Sequence, residues 1–326
     1  MSGNPEENII NDVTSYLQES ERPDMTSLIE YFKNGSLNPE VKLWKGFRFW
    51  PRFNPETAKF AYEDMTYKDS DVIVASFAKT GTTWIRMIVH HLVYDSDPMR
   101  MEISSKMNMP FSYLETGIPL KFQVVNKLPL PRRVFGTHLN AQLVNLNKIK
   151  KSGAKVIYCI RNPKDQAVSW YHMYQNYPFR DHPNFKHFCP KSWDEFFKLY
   201  TSGKQPLCTR DGEWYPDHVM SWYEHRDDVM FVVYEEIKQN PVKGILEIAK
   251  FLNIPATLGR AQQIADMTSF NNMAANLKKG HPIKNFFRKG EVGDWKNYFS
   301  DDQSKIMDEL IQEKLGNTEI RFIYEL

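Results

Sequence analysis

The amino-acid sequence predicts an α/β protein, in which a central, mainly parallel sheet is flanked by helices. Short apolar strands alternate with helical patterns along the chain, which is typical of parallel strands joined by helices. The first strand, residues 72–74, is β-branched and continuous, as expected for a strand buried on both faces. The 326 residues show neither an internal repeat nor a linker, so we predict one domain over residues 41–326, preceded by a helical extension over residues 1–40.

The charge balance argues against a general nucleic-acid binder. The chain has 42 basic and 40 acidic residues, so any anion site must be local. No apolar run approaches the roughly 20 residues of a membrane helix, and the first residues do not resemble a signal peptide, so we expect a cytoplasmic protein without a membrane partner. Cys159, Cys189 and Cys208 lack C-x-x-C spacing and are expected to be reduced thiols.

The elements outside the predicted sheet are short. Residues 9–17 and 26–32 carry helical patterns, and residues 41–50 partly alternate, which indicates a hairpin or an edge strand. Residues 99–132 are rich in proline and aromatic residues and are predicted to be a long loop with short helices. Loops of this length often form walls of a substrate site.

Four strands are expected to form the sheet, with a helix after each. The strands are residues 72–74, 133–138, 155–160 and 229–234, and the helices cover residues 82–94, a segment from about 140, residues 163–174 and residues 241–252. Ligands of such sheets bind beyond the carboxyl ends of the strands. The residues found there are Lys79, His138, Arg161 and Tyr234, which are charged and chemically competent.

The loop between the first strand and its helix is a predicted anion site. A helix start has unpaired backbone N–H groups and the positive end of the helix dipole. Gly81, Thr82 and Thr83 supply these groups here, and Lys79 adds a positive charge. The lysine precedes the glycine, so the G-x-x-x-x-G-K-[ST] spacing of the ATP-binding loop is missing.

Two further basic segments are candidates for phosphate binding. Arg161 can hold a phosphate through two hydrogen bonds, with Ser169 adding a hydroxyl; a capping ion pair with Asp165 is the alternative. Residues 285–295 combine basic, aromatic and glycine residues, which form either a second phosphate clamp or a solvated loop face.

Histidine positions suggest acid–base chemistry more than metal binding. A single histidine is more often structural, but His138 ends a strand opposite the anion loop, and this position favours a general base. His182, His187 and Cys189 are accompanied by neither a cysteine pair nor an H-E-x-x-H motif, so we favour a polar loop and expect no metal.

With these residues assembled, the chain closely resembles the cytosolic sulfotransferases, which transfer a sulfuryl group from 3′-phosphoadenosine 5′-phosphosulfate (PAPS) to a hydroxyl or an amine. The family's phosphosulfate loop, Y-P-K-S-G-T-T-W, appears over residues 77–84. Its 3′-phosphate motif, R-N-x-K-D-x-A-V-S, is matched by residues 161–169, and its R-K-G-x-x-G-D-W signature by residues 288–295. The resemblance extends from about residue 41 to the C-terminus and implies an α/β fold with a P-loop-like phosphosulfate-binding loop.

The resemblance implies a role for each matched residue. It assigns the phosphosulfate to Lys79, Thr80, Gly81, Thr82 and Thr83, with Trp84 against the adenine. It assigns the 3′-phosphate to Arg161, Ser169, Arg288, Lys289 and Gly290, and further nucleotide contacts to Tyr234, Thr268, Ser269 and Phe270. His138 matches the family's base for in-line attack on sulfur, and Lys79 would stabilise the leaving phosphate of the product, 3′,5′-bisphosphoadenosine (PAP), without a metal.

The chain departs from the family pattern at four places. Ala78 and Thr80 replace proline and serine, which are mild changes. Gly136 stands where many members have a lysine, so either the transition state loses a positive charge or the acceptor gains space. Arg133 is a poor substitute for that lysine, because strand alternation places it on the face opposite His138. The family's dimer motif is altered over residues 296–305, which leaves monomer or homodimer undecided.

The predicted acceptor is a small apolar phenol, alcohol, sterol or amine, and its identity is open. The candidate pocket residues are Phe77, Phe111, Tyr113, His138 and Met173. Two other interpretations remain: an ATP-dependent kinase, favoured only by the strand–loop–helix, and a nucleotide-binding regulatory protein that has lost turnover, suggested only by Gly136.

Overall fold

The computed structural model describes residues 5–34, 40–94, 97–107, 109–177, 179–276 and 288–326. The strands are β1 (Lys42–Trp44), β2 (Phe47–Phe49), β3 (Val72–Ser76), β4 (Val134–Thr137), β5 (Lys155–Ile160) and β6 (Val229–Val233). The helices are α1 (Pro5–Thr14), α2 (Thr26–Asn34), α3 (Pro55–Glu63), α4 (Thr82–Tyr94), α5 (Pro98–Lys106), α6 (Met109–Ser112), α7 (Leu120–Lys127), α8 (Leu146–Ser152), α9 (Pro163–Gln175), α10 (Trp193–Thr201), α11 (Tyr215–Tyr223), α12 (Tyr234–Gln239), α13 (Pro241–Phe251), α14 (Leu258–Met267), α15 (Phe270–Asn276) and α16 (Asp301–Leu315).

Four parallel strands form the central sheet in the order β4, β3, β5, β6. Val72 lies opposite Val134 on one side and Lys155 on the other, so the central strand β3 is paired along both edges. Every residue of β3 is buried, which accounts for the unbroken apolar run at residues 72–75. The predicted α/β class, with a parallel sheet flanked by helices, is confirmed.

The carboxyl ends of the four strands meet at one edge of the sheet because the strands are parallel. His138, Arg161 and Tyr234 directly follow β4, β5 and β6, and Lys79 lies three residues beyond the end of β3. The predicted set of residues therefore lies at a common edge, although its members are far apart in the chain.

The elements outside the sheet follow the sequence prediction, apart from one helix start. Residues 41–50 form an antiparallel hairpin, β1–β2, which is one of the two forms predicted for them and which turns at Lys45 and Gly46 with φ of 51° and 79°. The helix expected from about residue 140 begins at Leu146, because the side chains of Asn140 and Asn145 each cap a separate turn. The region predicted as a long loop with short helices, residues 99–132, contains the short helices α5, α6 and α7.

The N-terminal helices pack against the rest of the chain. Ile10 and Val13 of α1 and Leu28 of α2 are fully buried and belong to the same hydrophobic core as the sheet. Lys127 Nζ also donates a hydrogen bond of 2.7 Å to the carbonyl of Glu21. The domain boundary at residue 40 stays a prediction.

A buried ion pair joins β3 and β4 at the edge of the sheet opposite to the strand ends described above. Arg133 Nε donates to Asp71 Oδ1 at 2.8 Å, and the two side chains are 1% and 0% exposed. Arg133 Nη2 also donates to the carbonyl of Thr66 at 2.9 Å. Arg133 precedes β4 whereas His138 follows it, so Arg133 cannot serve as a cation at the candidate site.

Replacing one partner of this buried pair should destabilise the fold strongly. We expect Asp71→Ala to lower the free energy of unfolding by about 3–5 kcal/mol, because it leaves a buried, uncompensated guanidinium. The matched control is Lys150→Ala, which breaks the exposed Lys150–Asp228 pair and should cost about 1 kcal/mol or less. Urea unfolding of both variants measures the difference, and equal losses would contradict the role given to the buried pair.

Candidate active site

A cleft of about 460 Å³ opens where the strands end. Its walls come from the segment after β2, the loop after β3, the end of β4, Arg161 after β5, the second half of α9, helix α12 and the segments around residues 268–273 and 288–290. The cleft brings together most of the predicted site residues: Lys79, Gly81, Thr82, Thr83, Trp84, Tyr113, His138, Arg161, Ser169, Met173, Tyr234, Thr268, Ser269, Phe270, Arg288, Lys289 and Gly290.

The loop after β3 has a backbone shape that requires glycine at one position. Gly81 has a φ of 109°, and a Cβ added there would lie 2.7 Å from the ring of Tyr234. Lys79 also has a positive φ, of 71°. Thr80 does not line the cleft; its hydroxyl donates to the carbonyls of Phe77 at 2.8 Å and Cys159 at 3.1 Å. The predicted ligand contact of Thr80 is therefore not made by its side chain, which instead fixes the loop.

Positive charges converge on this loop. Arg161 donates to the carbonyl of Lys79 at 3.4 Å and to that of Glu291 at 3.1 Å, which links the loop to the late basic segment. Burial, together with the charges of Arg161 and Arg288, lowers the pKa of Lys79 to about 7. An anion bound here would meet several donors and would favour the protonated form of Lys79.

The basic segment at 288–290 is organised by two carboxylates. Asp294 pairs with Arg288 and with Lys289, at 2.5 and 2.6 Å, so this corner keeps a net positive charge. Partial burial acts to raise the pKa of Asp294, but the hydrogen bonds that it accepts hold the pKa at about 2. Asp165 accepts from the backbone of Gly293 and Trp295, at 2.8 and 2.9 Å, instead of pairing with Arg161. Residues 285–287 lie outside the described residues.

His138 is held with one ring nitrogen bonded and the other available. Its Nδ1 lies 2.9 Å from the carbonyl oxygen of Ser76, which can only accept, so Nδ1 carries the proton and Nε2 keeps its lone pair. The rings of Phe53 and Tyr113 flank the imidazole, at 6.0 and 5.3 Å between centroids. Burial lowers the pKa of His138 to about 4, and the charges of Arg86 and Lys79 add to this effect.

A buried glutamate that the sequence analysis did not single out fixes the backbone at His138. Glu115 Oε1 accepts from the His138 backbone N–H at 2.7 Å, and Oε2 accepts from the Thr137 hydroxyl at 2.9 Å. Burial raises the pKa of Glu115, although these hydrogen bonds and the charge of Lys121 oppose the rise. Lys121 is itself fully buried and donates to the carbonyls of Tyr113 and Thr116. This network ties the segment at residues 113–121 to the end of β4.

The side of the cleft away from the cationic loop has an apolar wall, and its residues differ in part from the predicted ones. Tyr113 and Met173 line it as predicted, together with Trp50, Phe53, Trp170, Tyr177 and Leu207, which the sequence analysis missed. Phe77 and Phe111 do not line it, because both side chains are buried in the core, where Phe77 packs against Tyr215 and His218. The geometry does not place these two phenylalanines in the wall, and their contact with the acceptor stays a prediction.

The described residues contain neither a candidate metal cluster nor a candidate membrane-spanning helix. In the parts of the chain that the structure describes, no cluster of three or more histidine, cysteine or carboxylate side chains has metal-site geometry. Over the same ranges, every helix is too short or too polar to cross a bilayer. The three cysteines are buried and unpaired, as expected of reduced thiols.

Comparison with known proteins assigns the family. A family model described as a sulfotransferase domain matches residues 69–319. Sulfotransferase 6B1 of Danio rerio is 32% identical over 300 residues, which cover 89% of this chain and 95% of that protein, and the Homo sapiens protein of the same name is 34% identical over 266 residues, covering 80% and 81%. The chain belongs to the sulfotransferase family. The prediction of a PAPS-dependent sulfotransferase is thereby confirmed.

Solved sulfotransferase structures have the same architecture. Mouse SULT7A1, crystallised in complex with PAP, is 31% identical and superposes with a TM-score of 0.68, over 86% of this chain and 96% of that one. A retinol dehydratase in complex with retinol and PAP is 20% identical, with a TM-score of 0.64 over 93% and 97% of the two chains, and shows the likeness of the fold alone.

The place of the lysine that many sulfotransferases carry at position 136 is filled by other side chains. A Cβ on Gly136 would lie 2.9 Å from the ring of Tyr113 and 3.1 Å from Cδ of Arg86. The gain in acceptor space considered for this glycine therefore does not occur beside it. The Arg86 guanidinium lies 4.8 Å over the Tyr113 ring, and its charge acts on the pKa of His138. This sulfotransferase thus keeps a cation near His138, supplied by α4 instead of β4.

The loop after β3 should not tolerate a side chain at position 81. We expect Gly81→Ala to weaken PAP binding roughly tenfold or more, because alanine at this φ is strained and its methyl group would displace Tyr234. Gly259→Ala is the control, since a Cβ there meets no atom within 4 Å. Isothermal titration with PAP measures both affinities, and unchanged binding by the Gly81 variant would refute this account of the loop.

Proposed function

We propose that the protein transfers the sulfuryl group of PAPS to a hydroxyl group, of a phenol, alcohol or sterol, or to an amine of a small apolar acceptor, with His138 as general base. The observation that carries this proposal is the position and tautomer of His138. Its proton-accepting nitrogen belongs to a ring bordered by aromatic side chains, in the same cleft as the cationic loop at Lys79.

The residues of the other half of the cleft fit the donor nucleotide. Trp84 and Tyr234 pack edge to face with ring centroids 5.2 Å apart, which offers an aromatic surface for the adenine. Two buried donors of this half, Arg161 Nε and Trp84 Nε1, have no hydrogen-bond partner among the described residues. The PAP complex of mouse SULT7A1, which shares 31% of its sequence with this chain, supports the same assignment.

The remaining nucleotide roles follow from the same positions. The backbone N–H groups of the loop and the charge of Lys79 would hold the 5′-phosphosulfate. Arg161, Ser169 and the Arg288–Gly290 segment would hold the 3′-phosphate, and the ring of Phe270 lies against Gly290, which joins Thr268, Ser269 and Phe270 to that segment. Cations at both ends of the nucleotide side of the cleft would select a nucleotide with phosphate groups on both the 5′ and the 3′ side of its ribose.

The mechanism uses side chains already oriented for it. His138 Nε2 takes the proton of the acceptor hydroxyl or amine while the acceptor atom bonds to sulfur, and the bond from sulfur to the phosphate oxygen breaks. The Ser76 carbonyl stabilises the imidazolium that forms, because it already accepts from Nδ1. Lys79 and the loop N–H groups stabilise the charge that develops on the departing phosphate, and Arg86 adds a positive charge near the reacting centre. We propose a cytoplasmic location, which the unpaired cysteines support.

Sulfate transfer from labelled PAPS to a panel of phenols, sterols and amines tests the proposal. We expect transfer to at least one acceptor, and His138→Ala should lower kcat by roughly 10²–10⁴-fold because the general base is lost. The control is His225→Ala, an exposed histidine outside the cleft. PAP binding without transfer to any acceptor would favour the regulatory alternative, and a preference for ATP over PAP would favour the kinase. Near-normal turnover of His138→Ala would show that His138 is not the general base.

Nucleotide binding should be accompanied by proton uptake. With its pKa near 7 in the free protein, Lys79 is mostly neutral at pH 8, and bound phosphate raises that pKa, so binding of PAP at pH 8 should take up close to one proton. Titration calorimetry in buffers of different ionisation enthalpy measures the uptake. The Lys79→Arg variant is the matched control, because arginine stays charged and should bind without uptake. Identical proton uptake by the variant would exclude Lys79 as the group that titrates.

A further inference from the structure

Two hydrogen-bond donors on the apolar side of the cleft have no acceptor. Arg52 and Tyr177 both line the cleft, and Arg52 Nε is buried without a hydrogen bond among the described residues. The buried Tyr177 hydroxyl is within reach of the Arg52 and Trp50 side chains, which can only donate to it, so its own O–H has no acceptor there. Within those residues no carboxylate forms an ion pair with Arg52. The two groups are neighbours, since the charge of Arg52 acts on the Tyr177 hydroxyl. A cation and a hydroxyl thus stand together in the wall of the proposed acceptor pocket.

Their surroundings separate this pair from the nucleotide half of the cleft. Arg52 lies between Trp50 and Phe53 in the chain; the Trp50 ring is 4.8 Å from that of Tyr177, and the Phe53 ring is 6.0 Å from that of His138. The cations proposed for the nucleotide phosphates, Lys79 and Arg161, belong to the loops that follow β3 and β5. Arg52 is therefore the cation of the acceptor side.

The buried Nε of Arg52 has no acceptor among the described residues, and an anionic ligand can supply one. Buried donors without acceptors cost free energy, and that cost is removed by a ligand that accepts from both. A carboxylate has two oxygen atoms, so it can accept from the guanidinium and from the phenol at the same time. Trp50 packs against Tyr177, and such apolar surroundings strengthen a charge-assisted hydrogen bond.

We propose that the acceptor is amphipathic and carries an anionic group, bound by Arg52 and Tyr177, in addition to the hydroxyl or amine that His138 deprotonates. This inference rests on the proposed sulfotransferase function and narrows its substrate class from neutral apolar acceptors to apolar acids. A carboxylate is the anion that suits the pair best, and a phosphonate or sulfonate on the same apolar body shares the chemistry.

Matched acceptors test the inference separately from the function. The probes are 4-hydroxyphenyl alkanoic acids of increasing chain length and, for each acid, its uncharged methyl amide, with labelled PAPS as donor. At one chain length or more, we expect the wild-type enzyme to show a kcat/KM at least roughly tenfold higher for the acid, mainly through KM, because a charged hydrogen bond is gained.

Three variants locate the effect. Arg52→Gln should abolish the preference for the acid, Arg52→Lys should keep part of it, and Tyr177→Phe should reduce it. The control is Lys45→Gln, which removes an exposed lysine of the β1–β2 turn outside the cleft and should retain the full preference. A sulfonate series of the same chain lengths distinguishes carboxylate from other anions.

The outcomes separate the two claims. Transfer to acid and amide with equal kcat/KM at every chain length would overturn this inference and leave the sulfotransferase function intact. A preference for the acid that Arg52→Gln retains would also overturn it. If the enzyme sulfates neutral sterols or amines but neither the acids nor the amides, this inference is also overturned. If it sulfates no acceptor at all, both this inference and the proposed function are overturned.

Discussion

The site depends on one hydrogen bond between two neighbouring strands, from His138 Nδ1 to the carbonyl of Ser76. That bond exists because β3 and β4 pair in parallel register and end at the same edge, which places the residue after β4 beside the last residue of β3. A carbonyl accepts but cannot donate, so the bond selects the tautomer in which Nε2 is a proton acceptor. Burial then keeps the ring neutral near physiological pH, because it lowers the pKa of His138 to about 4.

The rest of the cleft is arranged around this histidine. Glu115 fixes the backbone at His138, and Arg86 of α4 lies beside Gly136, from where its charge acts on the pKa of His138. Arg161 links the loop after β3 to the late basic segment through the carbonyls of Lys79 and Glu291. Each of these contacts joins segments that are distant in the chain, so the site forms only when the sheet does.

The sequence predicted the parts of the site that lie at the ends of regular elements. Lys79, His138, Arg161 and Tyr234 could be placed because strand patterns end just before them and parallel strands end together. The motifs at 77–84, 161–169 and 288–295 then assigned roles by resemblance. The family and the α/β class followed from the same observations, and the comparisons bear them out.

The apolar wall of the cleft could not be predicted in the same way. Trp50, Phe53 and Leu207 come from irregular segments in which no periodicity indicates where a side chain points. Phe77 was predicted for this wall because it follows β3 directly, and the sequence does not show that its ring turns into the core against Tyr215. Arg86 was missed because nothing in a helical pattern indicates that a charged residue lies over a tyrosine ring from another segment.

The protonation state of His138 is the quantity on which this account depends most directly. It can be measured by nitrogen NMR of the protein labelled at its histidine rings, with His138→Ala to assign the signals. We predict a neutral ring at pH 7 with the proton on Nδ1 and the lone pair on Nε2, and we predict that the ring stays neutral down to about pH 5, below the ordinary pKa of histidine. A proton on Nε2 at pH 7, or a ring that is charged at that pH, would contradict the account.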